Sequence, residues 1–565
     1  MAALIISGIA ALALWAMHDE SLVIQPLKAP PMLVAQGLDG SVLAAKLLDG
    51  VKTLQGQASS ARAPNTMKGA AEDDIKVEIP ETGISVGELL KYLRAWLGHE
   101  AQVTGEVYLD GPNVVVTVRA GEEPGKSFSG PREDLDHLMD QASEAVFAAT
   151  QPYLYAVYLN AHGRGSESLK VARELAISGP LKERGWAYAH WANLLLHEGD
   201  DAGAAVRARQ ALGYNPALVT AENNLGVAEW NLSHDEAAFR ARKRALDLIR
   251  PGRPANVTIA AADQFRVSFE EAVDEAVGDY GAAATLSRRQ MELPDYADDV
   301  AEASVSISDD LALDHDVAAA RAALTRAQLT DDAAVLKYLV SDGDHVLPYA
   351  NLDSALGDWG DAVADLQGAD AWMAANEPDA SDFRRRRLEP QLALALARTG
   401  RLAEAEALIG DTPLDCVACL IARGQIAALE NRPGATDPWF KAAVKAAPSL
   451  PKPYLAWGVA LLERGDATGA ANLARQAAQR GPRFADAYVL QAEASLREGA
   501  YGAARAQLER ANRYAPAWGR MHLLWGEAFL HDGQGSLARA QFNQAAGLAL
   551  SMADQSRLQQ DLKRR

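Results

Sequence analysis

Five short stretches carry residues whose types and spacing suit chemistry. In DCVACLI, Cys416 and Cys419 are the only cysteines, spaced as a redox dithiol would be. The local sequence lacks the strand-to-helix setting of such a dithiol, and a zinc site would need two further ligands. Two small residues packed inside a helical array is the simpler reading, and whether they form a disulfide stays open. DLDHLMD places Asp134, His137 and Asp140 on or near one helix face, which suits metal ligands but reads better as a solvated face. SDGDH (341–345) matches half a calcium loop and lacks the glutamate that would complete it. SDDLALDHD gathers Asp309, Asp310, Asp314, His315 and Asp316; it could hold a cation weakly but is read as a solvated charge run. GRGSES (163–168) has glycines but no lysine, so it reads as a turn at a helix boundary. No dinucleotide fingerprint, P-loop, zincin or nucleophile-elbow pattern occurs in a convincing context. No catalytic residue, metal ligand or cofactor is therefore assigned.

The elements that would position such residues follow from composition and pattern. A chain of 565 residues is long enough for several cores. Its 49% hydrophobic and 23% charged content is that of a folded protein. The net charge of −20 argues against a nucleic-acid partner, which would call for a basic footprint. The one basic run, Arg384–Arg387, reads as the solvated start of a helix.

Residues 2–17 carry no charge and end at His18, Asp19 and Glu20. No basic residue precedes Lys28, so a cleaved signal fits less well than a retained anchor over residues 1–20. A truncated start or a buried helix is the remaining alternative. The anchor reading implies a single-pass inner-membrane protein with most of the chain in the periplasm.

Residues 21–150 read as a small α/β domain. Ser21–Leu27 is a strand candidate, 38–55 a helix, 57–73 a loop, 74–80 a strand and 85–98 an amphipathic helix. TGEVYLDGPNVVVTVRA (104–120) is a hairpin around Asp110-Gly111-Pro112-Asn113. Residues 132–150 return to helical period.

From residue 151 the strand signal disappears and a period of 34 emerges. Gly424, Gly458 and Gly526 share one slot, with Ala492 in the missing place. Ala470, Ala504 and Ala538 share another, and Phe440, Ala474, Leu508 and Phe542 follow in a third. Pro448, Pro482 and Pro516 close three units, and Gly226 marks the same slot near the start. Between these, GDYGAAATL, GDWGDAVADL and GRLAEAEAL keep the turn and the alanines while the spacing drifts.

This pattern resembles the tetratricopeptide (TPR) repeat over residues 151–560. The resemblance implies a mainly α fold: a right-handed α-solenoid of antiparallel helix pairs behind the α/β domain and an N-terminal hydrophobic helix. Small residues such as Gly458 and Ala470 would face one another within a pair. It also implies a concave surface that binds protein or peptide partners. The inner-facing slots fall at Trp186, Asn193, His197, Asn223, Trp230 and Asn231, where amides suit a peptide backbone and indole a flat apolar contact. Packing and plain solvation are the competing roles of these residues.

Residues 23–51 more faintly resemble the TolB-type amino-terminal domain through Pro26, Gly37, Leu47 and Asp49. That resemblance implies an assembly domain near a bacterial membrane. The reading that results is a membrane-anchored scaffold, without enzymatic activity, in an envelope complex. Its rivals are a ligand-sensing or enzymatic head regulated by the array, and a self-assembling envelope subunit.

Overall fold

The computed structural model describes residues 22–58, 60–62, 67–69, 101–121, 124–249, 256–290, 300–339, 347–378 and 381–563. The chain forms two compact units, residues 1–191 and 192–565.

The first unit is built on a five-stranded sheet of order β2-β1-β3-β4-β5. The strands are β1 (Leu22–Ile24), β2 (Met67–Gly69), β3 (Ala101–Asp110), β4 (Asn113–Ala120) and β5 (Lys126–Pro131). β1 pairs in parallel with β2 and β3, and the β3–β4–β5 meander is antiparallel. β4 is valine-rich and buried at Val114, Val115, Val116 and Val118, as suits a strand inside a sheet. Asp110 pairs with Asn113 across the expected hairpin turn. Two strands depart from the expectation. Met67–Gly69 adds to the sheet from within the stretch read as a loop, and β5, with only Phe128 as a large apolar side chain, gave no alternating signal. The expected strand over 74–80 and helix over 85–98 lie outside the described residues.

Helices α1 (Gly40–Gln57) and α2 (Leu135–Thr150) pack on one another. Asp39 caps α1, its Oδ1 accepting from the amides of Ser41 and Val42 at 2.9 Å each. Leu43, Leu47 and Val51 recur at i, i+4 and i+8 and are fully buried. Each such side chain contributes about 1.5–3 kcal/mol. The helices meet so closely at Gly50 that an added Cβ would stand 2.8 Å from that of Ser143.

The second unit is a solenoid of antiparallel helix pairs. A recurring turn makes each pair. Asp200 and Asp466 each cap a second helix, accepting at 2.8 Å from the amides of Gly203 and Gly469. Gly465, just before the second of these caps, ends its helix at φ +93°, a conformation that suits glycine. Within pairs, a small residue opposes a large one. A Cβ on Gly424 would meet the Phe440 ring at 2.8 Å, and Gly526 stands against Phe542 in the same way. Ala492 occupies this slot where the opposing residue is the smaller Leu508, and both are fully buried. Gly458 is instead crowded by Leu490, at 2.8 Å from an added Cβ, and by the Ala470 carbonyl at 3.3 Å. In the irregular middle the pairs persist with unequal helices: Ile259–Val277 (α3) with Tyr280–Gln290 (α4), and Val300–Leu313 (α5) with Val317–Ala327 (α6).

The solenoid also touches itself. Ser233, Gly278, His315 and Gly357 are left-handed residues in the turns inside four pairs. Each meets the start of a helix far along the chain. The Ser233 carbonyl accepts from Val417 N at 3.0 Å, and its hydroxyl accepts from Ala418 N at 3.1 Å. A Cβ on Gly278 would stand 3.0 Å from that of Phe484. His315 stacks on Trp518 with ring centroids 3.6 Å apart. A Cβ on Gly357 would meet that of Ser551 at 3.7 Å. Beside them Arg483 pairs with Asp279 at 3.1 Å across 204 residues, the length of six repeats. One turn of the superhelix is thus seamed to the next.

The expected single-pass inner-membrane protein is corrected. Among the described residues no helix is long and apolar enough to cross a membrane. The helices are amphipathic, and a span needs about 20 apolar residues. The apolar run at 2–17 lies outside the described residues.

Candidate functional site

The residues expected to line a groove divide by what surrounds them. In the first unit, Trp186 is buried, 5.3 Å from the Tyr153 ring and under the Arg62 guanidinium at 5.3 Å. Arg62 is itself held by Glu183 at 2.7 Å. In the second unit, Asn231 is buried and donates to Asp201 at 2.7 Å. Trp230 packs against Phe383, with ring centroids 6.1 Å apart, and Arg387 lies over it at 4.5 Å. Internal contacts occupy these three. Asn223 is half-buried, and among the described residues its amide reaches only Asn224, at 3.4 Å. Asn193 is half-buried and His197 exposed. Asn193, His197 and Asn223 are therefore the part of the set that retains a surface.

Arg384–Arg387, read as a solvated helix start, is an internal clamp on a π-helical turn. Arg384 holds Asp370 at 2.6 Å, and Arg386 holds Asp415 at 2.6 Å and the Leu232 carbonyl at 3.1 Å. Arg387 donates to the Trp230 carbonyl at 2.8 Å and pairs with Asp235. Four like charges coexist there because acids and carbonyls arrive from other helices, a neighbourhood that the linear run does not reveal.

Cys416 and Cys419 are joined as a disulfide, and both are fully buried. Cys416 precedes the helix Val417–Leu429 at the seam with Ser233. In the first unit Asp134, His137 and Asp140 are exposed, as a solvated helix face should be. SDGDH lies outside the described residues.

The acidic stretch 308–316 is the largest departure from expectation. Its residues are buried or half-buried throughout, and Asp310 is fully buried. Asp309 accepts from the Asn351 amide at 2.6 Å, and burial raises its pKa to about 6. Asp314 is pushed to about 8 by burial and by the nearby Asp486, Asp316 and Asp279. Asp310 is held well above the carboxylate range by burial and by Glu275 and Glu271. Carboxylate oxygens of Glu271, Glu275 and Asp310 lie within 4.8 Å of one another. The signal in the sequence was helical phase: Ile307, Asp310 and Leu311 share a face, so Asp310 points inward with the apolar residues.

The first unit has an open cavity of about 510 Å³ against β4, β5 and α2. Val118, Val146 and Leu175 give it apolar walls, and Lys126, Tyr155 and Glu174 add polar groups.

Antiparallel helix pairs, in 34-residue register towards the C-terminus and with small-against-large packing at Gly424 and Gly526, define a TPR-like α-solenoid in a chain that also contains a small α/β sheet domain. No protein-family model matches the chain, and no curated protein matches it. Solved structures similar to it include yeast Tom70, at 14% identity over 72% of this chain and 93% of that one, with a TM-score of 0.29. Another is the APC/C hetero-tetramer Cut9-Hcn1, at 12% identity over 76% and 94%, with a TM-score of 0.33. The TPR assignment rests on the helix pairs themselves. The faint TolB-type likeness gains no support from these comparisons.

Proposed function

We propose that the protein is a scaffold whose solenoid holds a protein or peptide partner, with Asn193, His197 and Asn223 among the contact residues. The seam is the observation that carries this reading. A solenoid whose successive turns are tied presents a fixed surface, so a partner meets groups already in place and less ordering is lost on binding. Side-chain amides on first helices can bond an extended backbone in either direction. The net charge of −20 favours a partner with a basic surface. No step of this role requires catalysis.

Affinity purification of the full-length protein from its native source tests the proposal, with partners identified by mass spectrometry. A stoichiometric partner that is lost from a folded Asn193→Asp, Asn223→Asp double variant supports it. A partner retained by that variant moves the contact elsewhere, and a protein that purifies alone counts against the scaffold role.

A second reading, a ligand-sensing first unit, draws on the 510 Å³ cavity with Lys126, Tyr155 and Glu174 in its wall. A Lys126→Glu variant with unchanged response to a small-molecule screen would remove its main support. Self-association is a third reading, decided by the mass of the purified particle.

A further inference from the structure

Inside the second unit, α3 carries Glu271 and Glu275 one turn apart, and α5 brings Asp310 to them. Ser287, on α4 and 2% exposed, joins the set. Its Oγ lies 2.8 Å from Glu271 Oε1, 2.8 Å from Asp310 Oδ2 and 3.1 Å from the Ala283 carbonyl. A hydroxyl has one hydrogen to donate. Three oxygens therefore compete for that hydrogen unless a proton or a cation sits among the carboxylates. Asp310 Oδ1 is buried and has no hydrogen-bond partner. Glu275 makes no ion pair or side-chain hydrogen bond among the described residues. Arg242 and Lys452 stand near enough to feel the charge of Glu275. Neither forms an ion pair with Glu275 or Asp310 among the described residues.

Oxygens 2.8 Å apart have the spacing of neighbouring ligands in the shell of a small hard cation, where metal–oxygen distances are about 2.0–2.6 Å. An all-oxygen donor set excludes a preference for soft metals. We propose that Glu271, Glu275 and Asp310 bind one hard divalent cation of the calcium, manganese or magnesium kind, with Ser287 as a neutral ligand. The cation supplies Asp310 Oδ1 with a partner and joins three consecutive helices, α3, α4 and α5. It would act as a staple inside the solenoid and is independent of the partner-binding reading.

The test uses the full-length protein stripped with EDTA and then given CaCl2, MnCl2 or MgCl2 at neutral pH. Thermal unfolding and isothermal titration calorimetry are the readouts. The expected result is one tight site for at least one of these ions, with a raised unfolding midpoint. Glu275→Gln, at a half-buried position without ion pairs among the described residues, should fold and lose the site. Ser287→Ala should weaken it by about tenfold. Equal binding by wild type and Glu275→Gln would mean diffuse attraction to an acidic protein, and would overturn the proposal. So would the absence of any response to the three ions, especially if Asp310→Asn is then as stable in EDTA as the wild type. That pairing would show that a proton occupies the cluster.

Discussion

His315 and Trp518 stack nearly parallel, 8° between planes, although they belong to different turns of the superhelix. His315 also reaches Asp486 at 3.1 Å, so one turn residue touches two later repeats. The contact ties together parts of the chain that repeat periodicity treats as unrelated.

Removing that ring should loosen the seam locally. Trp518→Ala is expected to cost about 2–4 kcal/mol, since a large aromatic contact is lost. Hydrogen exchange should speed up at residues 312–316 and 519–522 and stay unchanged in the sheet of the first unit. Exchange confined to one side of the contact would disprove the coupling.

Complementary size within a pair makes a second prediction. Gly424→Val should destabilise the protein by about 1–3 kcal/mol through overfilling against Phe440. Adding Phe440→Leu should recover part of that loss, because the pair then resembles Ala492 with Leu508. Chemical denaturation of the two single variants and the double variant measures the coupling. Strict additivity would exclude it.

The acids near the seam set a pH dependence. Asp314 has a folded pKa of about 8, raised chiefly by burial, against an ordinary value of 3.8. Its folded form therefore keeps a proton that the unfolded chain releases. The stabilisation is full below about pH 4 and is lost as pH rises towards 8. Asp353, at about 7 and again raised mainly by burial, acts in the same sense. Asp314→Asn should flatten the fall in unfolding midpoint between pH 5 and pH 8, a range set by these shifts. An unchanged slope would locate the pH dependence elsewhere.

The groove residues should separate by stability. Trp230→Ala is expected to cost about 2–3 kcal/mol because its ring packs on Phe383 and Arg387. Asn193→Asp and His197→Glu should stay within about 0.5 kcal/mol of the wild type. Thermal melts distinguish the two groups before any partner is known.

How much of this was legible depends on the range of the interaction. Helix pairs were readable because Gly424, Gly458 and Gly526 recur on a local period that packing within a pair imposes. The hairpin was readable because Asp110 and Asn113 enclose a turn between strand-like arms. Within the acidic stretch, charge suggested solvent for Asp310, whereas its helical phase with Ile307 places it in the core. The roles of Trp230 and Arg387 depend on contacts between turns of the superhelix, and no short window contains both partners. β5 stayed hidden because an edge strand ending in Gly130 and Pro131 carries little alternating signal.

The seam has a consequence for how such a chain can change length. Solenoids ordinarily tolerate the gain or loss of a unit, since each unit leans only on its neighbours. Here Asp279 must meet Arg483 six repeats later, and Ser233, His315 and Gly357 have comparable appointments. Duplicating or deleting one repeat between them would put every later rendezvous out of phase at once. Copy number in this stretch is therefore fixed by geometry, and a unit can be gained or lost without breaking the seam only outside the crossings.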